Sequence, residues 1–382
     1  MNKAVIGWDV GGAHLKASLL DVEGKLQQVM QVSCALWRGL AELERAIDIV
    51  LNAFTNASVL HTITMTGELV DLFQSRKDGV QSICRLMNEK LQGRKLFYAG
   101  ALNADSAAFV TLPDVGQHWQ YIASANWLAS AGFIGQRLQK SDKNLIPAQV
   151  QHGLLIDIGS TTSDFVLFEN GVPNCIAYTD AMRMQSEELV YTGVVRTPLM
   201  AVTQKIQFNH KVTYVAAEYF ATTADVYRLT GDLLATDDMA DTADGKEKTQ
   251  LASARRIARM IGYDADDASM AEWIALAQAF KSQQIKLLKN AALHHISRLK
   301  SVSTIGVNDD LLNTICIVGA GAGSFLAKEI AQALHTQYID VAQLITIESD
   351  AKDVLLDISE TRRLAQVCLP AYAVAYLAYH QF

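Results

Sequence analysis

Two acidic–glycine signatures carry the chemistry most readily read from this chain. Asp9-Val10-Gly11-Gly12-Ala13-His14-Leu15-Lys16 and Asp157-Ile158-Gly159-Ser160-Thr161-Thr162 each set a carboxylate just before a glycine-containing turn. Glycine lets backbone approach an anion closely, and consecutive N–H groups at a turn tip form a concave donor set. Gly11, Gly12 and Ala13, and then Gly159, Ser160, Thr161 and Thr162, are therefore candidate phosphate cradles, the second with hydroxyls as added donors. Asp9 and Asp157 are candidate Mg²⁺ ligands, since that ion is usually held by one or two carboxylates together with substrate phosphates. Lys16 offers a cation to phosphate oxygens. Either loop alone also reads as an ordinary strand turn; their recurrence 148 residues apart favours the cradle.

The flanking pattern says what must position these loops. Each signature reads strand, acidic residue, glycine turn, second strand, and each is followed by a polar turn, Asp21 to Lys25 or Glu169 to Pro173, so each opens a meander. Between the copies, Leu40 to Phe54 and Ser124 to Leu138 have helical spacing and His61 to Met65 reads as a strand. The alternation is α/β. A third glycine turn, Gly319-Ala320-Gly321-Ala322-Gly323-Ser324, joins the β-branched run Thr314 to Val318 to a helix at Phe325. It departs from the G-x-G-x-x-G dinucleotide fingerprint and fits better as a loop admitting a nucleotide or another flat group, with Gly319, Gly321, Ala322 and Gly323 lining it. The expected organisation is a first lobe over 1–150, a second over 151–358 with a helical insertion at about 214–300, and a terminal helix, 359–382, packed back on the first lobe.

Composition narrows the function classes. The chain has 382 residues, enough for two domains at roughly 100–200 residues each, and half of them are hydrophobic. A net charge of −7 disfavours a general nucleic-acid binder, even with Arg255, Arg256 and Arg259 close together. Cys34, Cys84, Cys175, Cys316 and Cys368 form no Cys-x-x-Cys pair, and His294-His295 lacks a partner at metal-ligand spacing, so neither a zinc site nor a disulfide framework is expected. No targeting segment or membrane span is read, and a cytoplasmic protein is expected.

The two hairpins and the late glycine turn resemble the actin, sugar kinase and Hsp70 superfamily over nearly the whole chain. More narrowly, Gly7 to Ala13, Met65-Thr66-Gly67-Glu68-Leu69, Ser124-Ala125-Asn126-Trp127 and Tyr191-Thr192-Gly193-Val194-Val195-Arg196-Thr197-Pro198 resemble the hydantoinase/oxoprolinase-related proteins of the tetrahydromethanopterin-linked one-carbon pathway. The resemblance implies a two-lobed actin-like ATPase (ribonuclease H-like) fold with the three loops around one cleft. Archaeal relatives join an aminomethylfuran-methyl diphosphate to the phenol of γ-glutamyltyramine and release diphosphate in methanofuran biosynthesis. For this chain the resemblance implies the equivalent step for a methanofuran- or methylofuran-type cofactor, with tyrosine, tyramine or a γ-glutamyl derivative as acceptor.

That chemistry assigns roles by expectation. Mg²⁺, backbone donors and Lys16 would stabilise the departing diphosphate, and Glu68 or Glu218 would take the phenol proton. Arg183, Arg196 and Lys248 are candidate ligands for diphosphate or a glutamyl carboxylate, although surface ion pairs explain each as well. Asn126 offers a polar group to substrate, and its neighbour Trp127 reads as core. Glu218 lies in a helical pattern seven residues before Asp225, which equally suits a solvated face. An ATP-dependent small-molecule kinase or hydantoinase/oxoprolinase-like ATPase is the alternative, and whether ATP binds is left open, as is the oligomeric state.

Overall fold

The computed structural model describes residues 3–54, 59–102, 108–139, 152–299, 309–347 and 358–382. The chain forms two compact units: Met1–Ile146 with Asn170–Pro173 and Val341–Phe382, and Pro147–Glu169 with Asn174–Asp340.

The first unit is built on a sheet of order β3-β2-β1-β4-β5-β6. Its strands are β1 (Ala4–Val10), β2 (His14–Leu20), β3 (Leu26–Ser33), β4 (Val59–Met65), β5 (Arg94–Tyr98) and β6 (Phe109–Val110). β1, β2 and β3 form an antiparallel meander, whereas β4 and β5 run parallel to β1. The central strand β1 is buried along its whole length, as a strand covered on both faces must be. Helices α1 (Leu40–Ala53), α2 (Arg76–Lys90), α3 (Leu112–Ile122) and α4 (Asn126–Gln139) connect and cover the sheet. On α1 the apolar residues Leu43, Ala46, Ile47 and Val50 fall on one buried stripe.

The chain's last segments belong to this unit. Helices α12 (Ile358–Val367) and α13 (Leu369–Gln381) follow residues 341–347, and α13 is buried on all sides from Leu369 to Ala378. It lies directly on β1: a Cβ at Gly7 would stand 1.9 Å from the Ala371 carbonyl, so only glycine admits the helix there. Phe133 of α4 meets Tyr372 and Tyr376 edge-on at 5.1 and 5.0 Å. The boundary expected at 358 moves to 340. The cause is a backbone bond from Leu26 N–H to the Thr346 carbonyl (2.9 Å) and a bridge between Leu26 and Ile347, which dock 341–347 beside β3.

The second unit repeats the plan with the order β10-β8-β7-β13-β14. β7 (His152–Ile158) pairs antiparallel with β8 (Ser163–Glu169) and parallel with β13 (Ile315–Ala320), which pairs parallel with β14 (Gln337–Asp340). The short β10 (Leu189–Val190) flanks β8; β9 (Val172–Pro173) clusters with the first unit. A meander leading into parallel strands is thus used twice, the ribonuclease H-like α/β arrangement of actin-like ATPases. Around the second sheet lie α5 (Asp180–Gln185), α6 (Leu199–Val202), a hairpin of β11 (Lys205–Phe208) and β12 (Lys211–Tyr214), α7 (Thr223–Thr230), α8 (Gln250–Arg259), α9 (Met270–Ile296), α10 (Asp309–Leu312) and α11 (Ser324–Ala333). The insertion expected from Tyr214 becomes helical at Thr223, where a Thr222–Asp225 capping box satisfies the first N–H groups. The 27-residue α9 starts at a second box, Ser269–Glu272, and buries Trp273, Phe280 and Leu288.

Two histidines are locked neutral in the interior. Trp8 Nε1–H donates to His61 Nδ1 at 3.1 Å, and His295 Nε2–H donates to the Glu187 carbonyl at 2.9 Å. Burial pushes both imidazoles down to about 4 from 6.5. The unfolded chain therefore binds more protons than the folded one between those values, so stability is present above pH 6.5 and is lost as pH falls toward 4. The expected slope is roughly 1 kcal/mol per pH unit per histidine. Thermal denaturation between pH 7 and 5 checks it: His61→Gln should flatten the profile, and an unchanged profile would remove His61 as a source.

Candidate functional site

In the first unit the hairpin tip is held by its carbonyls. Leu36 N–H donates to the Gly12 carbonyl (3.0 Å), Cys34 N–H to that of Ala13 (2.9 Å) and Thr66 N–H to that of Val10 (3.0 Å). Gly11 N–H closes the turn on the His14 carbonyl (2.9 Å), while the N–H groups of Gly12 and Ala13 take no backbone acceptor among the described residues. The tip thus has the Val10, Gly12 and Ala13 carbonyls occupied and the Gly12 and Ala13 N–H groups available. Both glycines are required sterically, since a Cβ would meet the His14 carbonyl at 2.9 Å from Gly11 and Val70 Cγ1 at 2.8 Å from Gly12. Asp9 and Lys16 face each other across the two strands with Nζ 4.0 Å from Oδ2, Asp9 buried and Lys16 partly exposed.

Behind this hairpin sits Glu68. The turn Gly67–Leu69 packs on it so closely that a Cβ at Gly67 would lie 3.0 and 3.2 Å from the Val10 and Gly11 carbonyls. Glu68 is fully buried; its Oε1 accepts from Arg76 at 3.0 Å and from Ser124 Oγ at 2.8 Å, and Arg76 also donates to Ser124 Oγ at 2.8 Å. Burial raises the Glu68 carboxyl, with Arg76 and Ser124 opposing. Ser124 has φ 49°, a left-handed conformation unusual for a residue with a side chain and often found at functional sites. Asn126, at the first turn of α4, turns its Oδ1 onto Trp127 N–H (2.8 Å), and Trp127 is core.

The second hairpin is held in the same way by a different segment. Val194 N–H donates to the Gly159 carbonyl (3.0 Å), and Val195 and Arg196 N–H both donate to that of Ser160 (3.1 and 2.9 Å). Ser160, Thr161 and Thr162 keep N–H groups with no backbone acceptor among the described residues, and Ser160 Oγ is a buried atom with no hydrogen-bond partner. The Arg196 side chain is exposed beside the tip. Gly193 is the decisive glycine here, because a Cβ would stand 2.5 Å from the Ser160 carbonyl carbon and 2.6 Å from the Gly159 oxygen. The late glycine turn abuts Asp157: a Cβ at Gly321 (φ 77°) would lie 2.5 Å from Asp157 Oδ1, and one at Gly323 2.4 Å from Ile158 Cγ2. Gly319 lies opposite Asp340 and under Tyr338, and Ala322 packs against the core.

Several expected ligands are engaged elsewhere. Arg183 is buried, with NH1 on Asp164 Oδ1 at 2.8 Å and NH2 on the Glu188 carbonyl at 2.9 Å, so it neutralises Asp164 and does not present itself to an anion. Lys248 binds the Asp238 backbone carbonyl and stands 3.5 Å from its Oδ1. Glu218 lies exposed on a bend ahead of α7, whereas Asp225 is buried; the helical pattern linking them is broken by the extended run into Thr222. Asp225 Oδ1 accepts from Arg228, Ser253 and Arg256, each at 2.8 Å. Arg256 is therefore interior and Arg255-Arg256-Ile257-Ala258-Arg259 is no continuous basic face. Among the described residues no group of three or more His, Cys, Asp and Glu is placed to hold a metal.

The hydantoinase/oxoprolinase family model matches residues 60–350. The chain belongs to the hydantoinase/oxoprolinase family. A relative in Methanocaldococcus jannaschii, named (4-{4-[2-(gamma-L-glutamylamino)ethyl]phenoxymethyl}furan-2-yl)methanamine synthase, is 27% identical over 100% of this chain and 99% of its own length. One of the same name in Methanococcus vannielii is 31% identical over 48% of this chain and 78% of its own. Among solved structures, component A of (R)-2-hydroxyglutaryl-CoA dehydratase from Acidaminococcus fermentans covers 99% of this chain and 98% of its own at 10% identity and a TM-score of 0.40.

For this family member the structure adds residues that spacing did not single out. Arg76 joins Glu68 only through the fold. Asp164 occupies the place in the second copy that Lys16 holds in the first, opposite Asp157 as Lys16 is opposite Asp9, and a 148-residue shift of the sequence would have found it. Gly193→Ala should displace the second hairpin and weaken binding of inorganic diphosphate at least about tenfold, one hydrogen bond or more being lost. Calorimetric titration against the parent chain checks it, and undiminished affinity would exclude that hairpin as the binding element.

Proposed function

We propose that this protein is a transferase of methanofuran- or methylofuran-type cofactor biosynthesis, forming an aryl ether between a furan-methyl diphosphate and a phenol and releasing diphosphate. The observation that carries the reading is the alignment, over essentially its whole length, with a synthase whose printed name is that of such an ether. A hairpin tip with open N–H groups, as each unit has, suits a leaving group with several anionic oxygens. A cytoplasmic location and small-molecule substrates of the furan and phenol kind belong to the same reading.

The bond broken joins the furfuryl carbon to the diphosphate oxygen, which leaves with the electron pair; the bond formed joins that carbon to the phenol oxygen. Because the furfuryl carbon tolerates positive charge, the protein's task is chiefly to receive charge on the departing oxygens. Each unit offers its own donors for such oxygens: the first has the N–H groups of Gly12 and Ala13 with Lys16, and the second has those of Ser160 to Thr162 with the Ser160 hydroxyl and Arg196. The phenol, with a pKa of about 10, must lose a proton. We assign this to Glu68 acting through Ser124: the phenol proton passes to Ser124 Oγ as its own moves along the 2.8 Å bond to Glu68 Oε1. Burial raises the proton affinity of Glu68, which suits it to the role.

Mg²⁺ fits a site of single carboxylates. Asp157 presents Oδ1 where the turn at Gly321 has no side chain, and Asp9 stands at the foot of the other hairpin. Either would hold the ion alongside substrate oxygens, as Mg²⁺ is commonly bound. When bound, it supplies charge neutralisation to diphosphate.

Asp9→Ala and Asp157→Ala should each cut turnover at least about a hundredfold with the fold retained by circular dichroism, and Glu68→Gln should lower kcat by about 10²-fold or more. The assay is diphosphate release from an aminomethylfuran-methyl diphosphate with Mg²⁺ and tyrosine, tyramine or their γ-glutamyl forms, with product mass recorded. An acceptor-dependent aryl-ether mass supports the reading. Phosphate from ATP, with no diphosphate from any acceptor, would replace it with a kinase or ATPase.

A further inference from the structure

A glutamine buried midway along a long helix has few reasons to be there. Gln284 of α9 is 1% exposed, surrounded by Leu288, Phe280 and other apolar side chains of the second unit's core. Burying a primary amide is unfavourable unless its hydrogen bonds are made, and here they are. Its Nε2 donates to Thr192 Oγ1 at 2.8 Å and to the Gly193 carbonyl at 3.0 Å, while its Oε1 accepts from the Tyr227 hydroxyl. Both donor bonds are aimed at one loop, and the amide oxygen meets α7.

That loop is the segment holding the second hairpin. From Thr192 and Gly193 the chain runs directly into Val194, Val195 and Arg196, whose N–H groups fix the Gly159 and Ser160 carbonyls. Other contacts anchor the loop's own polar groups: Ser163 Oγ donates to the Thr192 carbonyl (2.6 Å), Thr223 Oγ1 to the Gly193 carbonyl (2.8 Å), and Gly193 N–H to Thr197 Oγ1 (2.7 Å). Gln284 is the member of this set that comes from a rigid helix remote in sequence, 91 residues from Gly193.

We infer that Gln284 is a positioning residue for the anion cradle, setting the height of the Thr192–Gly193 backbone and through it the direction of the Ser160–Thr162 N–H groups. The inference rests on the reading of that hairpin as the diphosphate cradle. The geometry predicts an effect on anion affinity distinct from any effect on stability. Replacing the amide leaves the Gly193 carbonyl bonded to Thr223 Oγ1 but deprives the buried Tyr227 hydroxyl of its acceptor, a cost that the melting temperature reads separately from anion affinity.

The test compares Gln284→Met, which keeps the length and loses both donors to the loop together with the acceptor of the Tyr227 hydroxyl, with Leu288→Ala, which opens a cavity one turn along the same helix and touches no hydrogen bond to the loop. Both should lower the melting temperature. Titration with inorganic diphosphate in the presence of Mg²⁺ should show about a tenfold weaker Kd for Gln284→Met and an unchanged Kd for Leu288→Ala. In turnover, Gln284→Met should lower kcat/KM for the furan diphosphate and leave KM for the phenolic acceptor unchanged. Equal affinity of Gln284→Met and the parent chain would overturn the inference while leaving the cradle standing. A parallel loss in both variants would reduce Gln284 to a core residue, and failure of the parent chain itself to bind diphosphate would overturn the cradle and the inference together.

Discussion

The structure depends on how two strand turns have their carbonyl oxygens occupied. A turn tip exposes both donors and acceptors, and an anion is repelled by the acceptors as strongly as it is drawn by the donors. In each unit a second segment supplies N–H groups that take the tip's carbonyls: Cys34 and Leu36 for Gly12 and Ala13, Val194 to Arg196 for Gly159 and Ser160. What this leaves available includes the N–H groups of Gly12 and Ala13 and of Ser160 to Thr162. The close approach that makes this possible needs glycine, at Gly11, Gly12 and Gly67 in one copy and at Gly193 in the other.

The duplicated plan has diverged in charge. Where the first copy pairs Asp9 with Lys16, the second pairs Asp157 with Asp164, and a buried Arg183 neutralises the extra carboxylate. Breaking such a buried pair by removing one partner typically costs about 3–5 kcal/mol, which fits Arg183 as part of the scaffold. The same holds for Arg256 and Arg228 on Asp225: they secure the first turn of α7, and residues of that same turn bond the loop that braces the hairpin, through Thr223 N–H to the Thr197 carbonyl and Ala224 N–H to that of Val195.

In the first unit an apolar helix does comparable work. α13 lies against β1 through the gap left by Gly7, and its tyrosines pack edge-on against Phe133 of α4, the helix that begins just after Ser124. The strained Ser124 and the buried Glu68 are thus held by the sheet on one side and by α2 on the other. A Cβ at Gly79 of α2 would stand 2.7 Å from the Glu68 carbonyl. Proton affinity at Glu68 is consequently a property of packing: burial raises it, and the single guanidinium of Arg76 tempers it.

The sequence by itself determined the two hairpins and some of the flanking strands and helices, because strand–acid–glycine–strand is a local pattern and its recurrence reports the duplication; the one terminal helix expected at 359–382 is two, α12 and α13. It also determined that Trp127 is core and that the chain is α/β. It left Arg183 and Lys248 open between ligand and ion pair, and Glu218 between base and solvated face, since whether a charged side chain meets solvent, a ligand or another charge depends on residues elsewhere in the chain. Arg183 and Asp164 are 19 residues apart, and Arg256 and Asp225 are 31. Only the tertiary structure decided which segments occupy the turn carbonyls, that Glu68 is buried with Arg76 and Ser124, and that Gln284 reaches the bracing loop. These are contacts between elements, set by how helices and sheets pack, and no spacing within one element encodes them.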